Sequence, residues 1–250
     1  MLPELTQDEF SHALDSVAAG AIAALDTDGP PVDALALARR LGLSVAWDAT
    51  QAGRGRIVRL RGMRAVADQP SILVRPEERR ERLQWTVAHE IGELCAVQVF
   101  DHLGVDPREA PPGARESVAN QLASRLLLPR AWFREAAVRY DWDLLELKSR
   151  FATASHELIA RRMLDFEPLV VITIFDQGRR TFRRGNVHGR SGQLVEPERK
   201  AWLQAHETAE VVVRETPECR VRAWPVHESH WKREILRTQW LADDEWQQDC

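Results

Sequence analysis

The chain has 250 residues, 44% hydrophobic and 29% charged, which suits a globular protein with a sizeable core in one or two domains. Its 34 Lys and Arg against 38 Asp and Glu leave a formal charge of −4, which excludes the global basic field of a general nucleic-acid binder. Three dispersed cysteines, Cys95, Cys219 and Cys250, contain no CxxC pair, which excludes a cysteine-based structural zinc site and a disulfide framework.

Met1 to Phe10 carries Glu4, Asp8 and Glu9 and no apolar stretch, so it does not read as a secretory signal. No apolar run of about 18 residues occurs, so no membrane span is expected, and the chain reads as cytoplasmic. Residues 6–25 have helical spacing, and Pro30-Pro31 breaks that pattern. A second helix is expected over 32–41, with Gly42 at its C-cap. Residues 43–47, 54–60 and 71–75 read as short strands, the last two separated by the turn residues Gly62 and Asp68-Gln69-Pro70. A charged start at 77–82 leads into a helix running through Leu83, Trp85, Val87, Ile91, Leu94 and Val97. After the proline-bearing loop 106–113 comes a helix over 115–128, closed by Pro129, then helical patterns at 130–140, 143–150 and 154–164.

The character changes after Glu167-Pro168, where a soft boundary falls. Residues 169–175 are β-branched, and 179–184 can pair back across Asp176-Gln177-Gly178. Residues 211–213 and 220–224 are further strands, and 229–246 reads as a final helix. The expected fold class is α+β.

Chemistry concentrates at Thr86-Val87-Ala88-His89-Glu90-Ile91-Gly92-Glu93. On a helix, His89 and Glu93 stand at i and i+4 on one face. In the H-E-x-x-H pattern of zinc peptidases the outer residues bind the metal, and the Glu after the first His is the general base. Here Glu93 occupies the second His position. A carboxylate also binds zinc, but one imidazole with two carboxylates makes a harder, more anionic site and tilts preference toward manganese-like ions. Small or apolar neighbours would bury this helix, so its ionisable face needs partners, and a metal ion is one. On the helix over 115–128, Glu116 and Asn120 share a face one turn apart. Glu116 reads either as a third ligand or as a first-turn carboxylate favoured by the helix dipole.

Together the two segments resemble the ImmA/IrrE family of bacterial metallopeptidases. The matching residues are Ala88-His89-Glu90-Ile91-Gly92, then Glu116, Ala119, Asn120, Ala123, Leu127, Leu128 and Pro129. Phe151 to Ser155 and 159–164, with Arg161, are similar to that family's downstream helical segment, and the likeness spans roughly residues 30 to 165. The resemblance implies a mainly helical zincin-like core with a small β-sheet over 1–165, including helix-turn-helix-like helices near 143–164. A C-terminal β-containing module follows over 166–250. The resemblance also implies His89 and Glu116 as metal ligands, Glu90 as catalytic base and zinc as the ion, while the i, i+4 spacing adds Glu93 as a ligand and its charge makes manganese the alternative ion. The implied partner is a protein substrate such as a helix-turn-helix repressor, cut in a stress or mobile-element response. The family's second His falls on Glu93. Either Glu93 binds in its place, or the ion differs, or the site keeps only a binding role, as in a sensor.

Other clusters are weaker. His102 could stand in for the missing imidazole. His156-Glu157 has Ala at position 160 and reads as a solvated pair. His227 and His230, with Glu228 and Glu234, read as a polar helix start or as a second metal site. Arg179, Arg180, Arg183, Arg184 and Arg190 lie in an acid-free window over 177–194, which reads as a solvated hairpin or as a contact to DNA phosphates. Trp202, Trp224, Trp231, Trp240 and Trp246 read as core residues or an interaction surface.

Overall fold

The computed structural model describes residues 6–59, 70–166, 168–186 and 192–241. Gly62, Asp68, Gln69, Arg190, Trp246 and Cys250 lie outside them. The chain divides into two compact units, one of Met1–Asp141 with Lys148–Ser155, the other of Trp142–Leu147 with His156–Cys250.

In the first unit, α1 (Gln7–Ile22) starts at Thr6, whose hydroxyl accepts from Glu9 N while the Glu9 carboxylate accepts from Thr6 N. This reciprocal capping satisfies two otherwise unpaired donors. The helix α2 (Ala34–Arg40) is capped by Asp33 and ends at Gly42, whose φ of 76° favours glycine. Strands β1 (Ser44–Trp47), β2 (Gly55–Arg59) and β3 (Pro70–Val74) form a sheet of order β1-β3-β2, with β2 antiparallel to β3.

The helix α3 (Arg80–His102) packs against α1, α2, β2, β3 and α4 (Ala114–Leu127). It is buried over most of its circumference because Val87, Ala88, Ile91, Ala96 and Val99 are apolar and wholly covered. Each large side chain of that set contributes about 1.5–3 kcal/mol. The buried Gln84 ties α3 to α2: its Oε1 accepts from Ala34 N at 2.6 Å, and its Nε2 donates to Asp33 at 3.0 Å. The helix α5 (Arg130–Arg139) follows, and α6 (Leu144–Arg150) is divided between the two units.

The second unit holds α7 (His156–Arg162), β4 (Val170–Asp176), β5 (Arg179–Gly185), α8 (Glu196–Thr208), β6 (Val212–Glu215), β7 (Cys219–Pro225) and β8 (Arg233–Trp240). The sheet runs β5-β4-β8-β7-β6, with every neighbouring pair antiparallel. Gln177 and Gly178, both at positive φ, make the two-residue β4–β5 turn. One core cluster joins Ala201 and Ala205 of α8 to Phe175, Val221, Ala223 and Leu236 of the sheet.

The structure departs from the sequence reading in two elements. Residues 229–246 do not begin a helix: Arg233–Trp240 is a central strand. Residues 196–208, left without an element by the sequence, are helical. The α+β class stands.

Candidate metal centre

His89, Glu90 and Glu93 sit in the middle of α3, and Glu116 in the first turn of α4. What brings the two helices together is Gly92. A Cβ at that position would lie 2.6 Å from the Ala119 carbonyl oxygen, so only glycine admits α4 this closely. The approach carries Glu116 to His89, with 3.6 Å between Glu116 Oε2 and His89 Nε2. Asn120, one turn further along α4, donates to Glu116 Oε1 at 3.0 Å and so leaves Oε2 toward the imidazole.

Glu93 has its own orienting partner. Arg115 Nε donates to Glu93 Oε2 at 2.7 Å, and Arg115 Nη2 donates to the Glu93 main-chain carbonyl at 3.1 Å. Glu93 Oε1 is left for another partner. One imidazole nitrogen and one oxygen from each of Glu93 and Glu116 all lie within 4.8 Å of one another. Donors around a four-coordinate zinc stand about 3.3 Å apart, so the His89–Glu116 spacing is near what an ion needs, and this donor set fits a divalent cation.

Glu90 points differently. It is only 7% exposed, and it sits against β2, where a Cβ on Gly55 would come within 2.7 Å of its Oε1. Among the described residues its carboxylate makes no hydrogen bond or ion pair. Burial pushes its pKa above the usual carboxylate value. His89 opposes the shift, and the negative Glu93 and Glu116 add to it.

The four residues singled out in the sequence therefore converge on one locality of the first unit. Arg115 and Gly55 were not legible in the sequence, because both act across elements rather than at a helical spacing. His102 is not a substitute imidazole. It is the last residue of α3, about 20 Å beyond His89 at 1.5 Å rise per residue, and its Nδ1 is bonded to Gln98 O at 2.8 Å. Glu157 is held in ion pairs with Arg161 at 2.6 Å and Arg233 at 2.9 Å. In the arginine window, Arg183 turns inward and grips the buried Glu198 through both guanidinium nitrogens at 3.0 Å, so it is withheld from any phosphate.

An α+β chain whose central helix carries His-Glu-x-x-Glu, met by a glutamate from a second helix, has the layout of a metallopeptidase-like protein. The Peptidase_M78 family profile, described as the IrrE N-terminal-like domain, matches residues 37–164, slightly more than half of the chain. The chain belongs to that family, as the resemblance in the two helical motifs implied. Among solved structures, a Mycobacterium tuberculosis transcriptional regulator is similar in fold, with a TM-score of 0.67 at 17% identity, covering 92% of this chain and 77% of that one. No curated protein matches the chain. No helix among the described residues is long and apolar enough to cross a membrane.

Proposed function

We propose that the chain is a metal-dependent endopeptidase that cuts a regulatory protein, such as a helix-turn-helix repressor, in a stress or mobile-element response. Its peptidase domain would be residues 1–165 and a further module 166–250, a sequence boundary that falls within the second compact unit. The observation that carries the reading is the convergence of His89, Glu93 and Glu116 donor atoms within 4.8 Å. These three would hold the ion, zinc with manganese as its competitor. A bound divalent ion supplies a lowered water pKa and polarises the scissile carbonyl.

The remaining work belongs to the chain's own side chains. Glu90 takes the proton of the attacking water on its carboxylate and returns it to the leaving amide nitrogen. Asn120 and Arg115 fix the orientation of Glu116 and Glu93, as outer-shell partners do. Among the described residues the strand β2 is at the edge of its sheet, and Gly55 at its start lies against Glu90. An extended substrate backbone pairing with that edge would be brought beside the base.

A second reading is a sensor or binding protein without turnover. It is favoured by the Arg115–Glu93 pair, in which a guanidinium already neutralises the carboxylate that replaces histidine. Cleavage of a purified candidate repressor separates the two. The endopeptidase reading expects wild-type cleavage and a loss of about 10²–10⁴-fold in Glu90→Gln with metal retained. Cleavage by Glu93→His alone supports the sensor reading, and cleavage by neither variant nor wild type refutes the endopeptidase.

A further inference from the structure

The second unit contains another group of ligand-type side chains, and none of them belongs to the centre on α3. His206 lies in the last turn of α8, His227 in the loop between β7 and β8, and Glu234 on β8. Glu234 is fully buried. Its Oε1 is met by His206 Nδ1 at 2.9 Å and by His227 Nε2 at 2.6 Å. Its Oε2 accepts the indole N–H of Trp202 at 3.1 Å. Among the described residues, no lysine or arginine pairs with Glu234. A buried carboxylate without a fixed cation is costly, and its compensation must come from the imidazoles or from a bound ion.

We propose that His206, His227 and Glu234 form a zinc-binding site in the second unit. Their three donor atoms lie within 4.8 Å of one another. Two imidazoles and one carboxylate are a zinc donor set that leaves one position open. It is softer and less anionic than the His-Glu-Glu set on α3, so it selects zinc over manganese-like ions. To reach the spacing of about 3.3 Å around a four-coordinate ion, His206 must draw back from Glu234 by about 0.4 Å and His227 by about 0.7 Å. The side chains of His206 and His227 are 31% and 17% exposed, so the ion has an entry path from solvent. Trp202 supplies the outer-shell hydrogen bond that ligating carboxylates need. It is held in place by stacking on Phe175, with ring centroids 4.2 Å apart. Occupancy would fasten the β7–β8 loop to α8 through one ion. The sequence pointed to His227 with His230, but His206 takes the second imidazole position because the segment after Pro225 is a loop and a strand rather than a helix.

The test uses the full-length, untagged chain carrying His89→Ala, which removes the first centre. Titration with zinc is expected to show one equivalent bound and a raised melting temperature. Adding His227→Gln or His206→Asn is expected to weaken binding by more than about 100-fold, beyond the loss of an outer-shell partner, with the circular dichroism unchanged. A His89→Ala chain that takes up no zinc overturns the proposal, as does equal affinity in the added variants. If those variants fail to fold, cobalt titration of the His89→Ala chain decides. Visible bands of a four-coordinate ion support the site, and their absence overturns it.

Discussion

Glu93 shows how one side chain redirects a whole motif. As a carboxylate it keeps donor geometry at the i+4 position of α3, but it also attracts Arg115, which a histidine would not hold at 2.7 Å. Asp176 shows the same reach of a single charge in the second unit. It accepts from Arg233 at 2.6 Å, Trp231 at 3.2 Å and Thr181 at 2.7 Å. Burial alone would raise its pKa, but these hydrogen bonds and the Arg233 charge outweigh burial and hold the carboxyl below its usual value. A group depressed in this way contributes stability above its unfolded-state value of about 3.9, and that contribution is lost as pH falls through the folded value. Asp176→Asn is therefore expected to cost about 1–3 kcal/mol at neutral pH and to flatten the acid limb below about pH 4. Urea midpoints measured from pH 7 to pH 3 check both, and an acid limb as steep as wild type would contradict the assignment.

Between elements, the decisive contact is the α3–α4 crossing at Gly92. Gly92→Ala would gain up to about 1 kcal/mol of helix propensity, but overpacking against the Ala119 backbone costs about 1–3 kcal/mol. Clash is expected to win, lowering the melting temperature and weakening metal uptake as Glu116 moves off His89. A variant as stable as wild type with unchanged uptake would refute this. The crossing also explains what the sequence could reveal. His89, Glu90, Glu93 and Glu116 were legible because each sits at a fixed helical offset in a patterned segment. The strand β8 was not, because a central strand covered on both faces loses its alternation: Ile235, Leu236, Arg237 and Thr238 are consecutive and all buried. The helix α8 was missed because its inward side is made of the small Ala201 and Ala205, although Glu196, Pro197 and Glu198 mark a helix start. His206 went with it.

Across the whole molecule, the described residues hold two groups with metal-ligand geometry, one in each unit, and their donor sets differ. The net charge of −4 gives no global basic field, and the inward turn of Arg183 removes one arginine of the 177–194 window from contact with phosphates. The proposed metal centre on α3 and α4 is tested most directly by elemental analysis of the purified, untagged chain beside His89→Ala and Glu116→Gln, each checked for folding by circular dichroism. Each variant is expected to lose one metal equivalent per chain relative to wild type. Undiminished metal content in a folded His89→Ala chain would contradict the account.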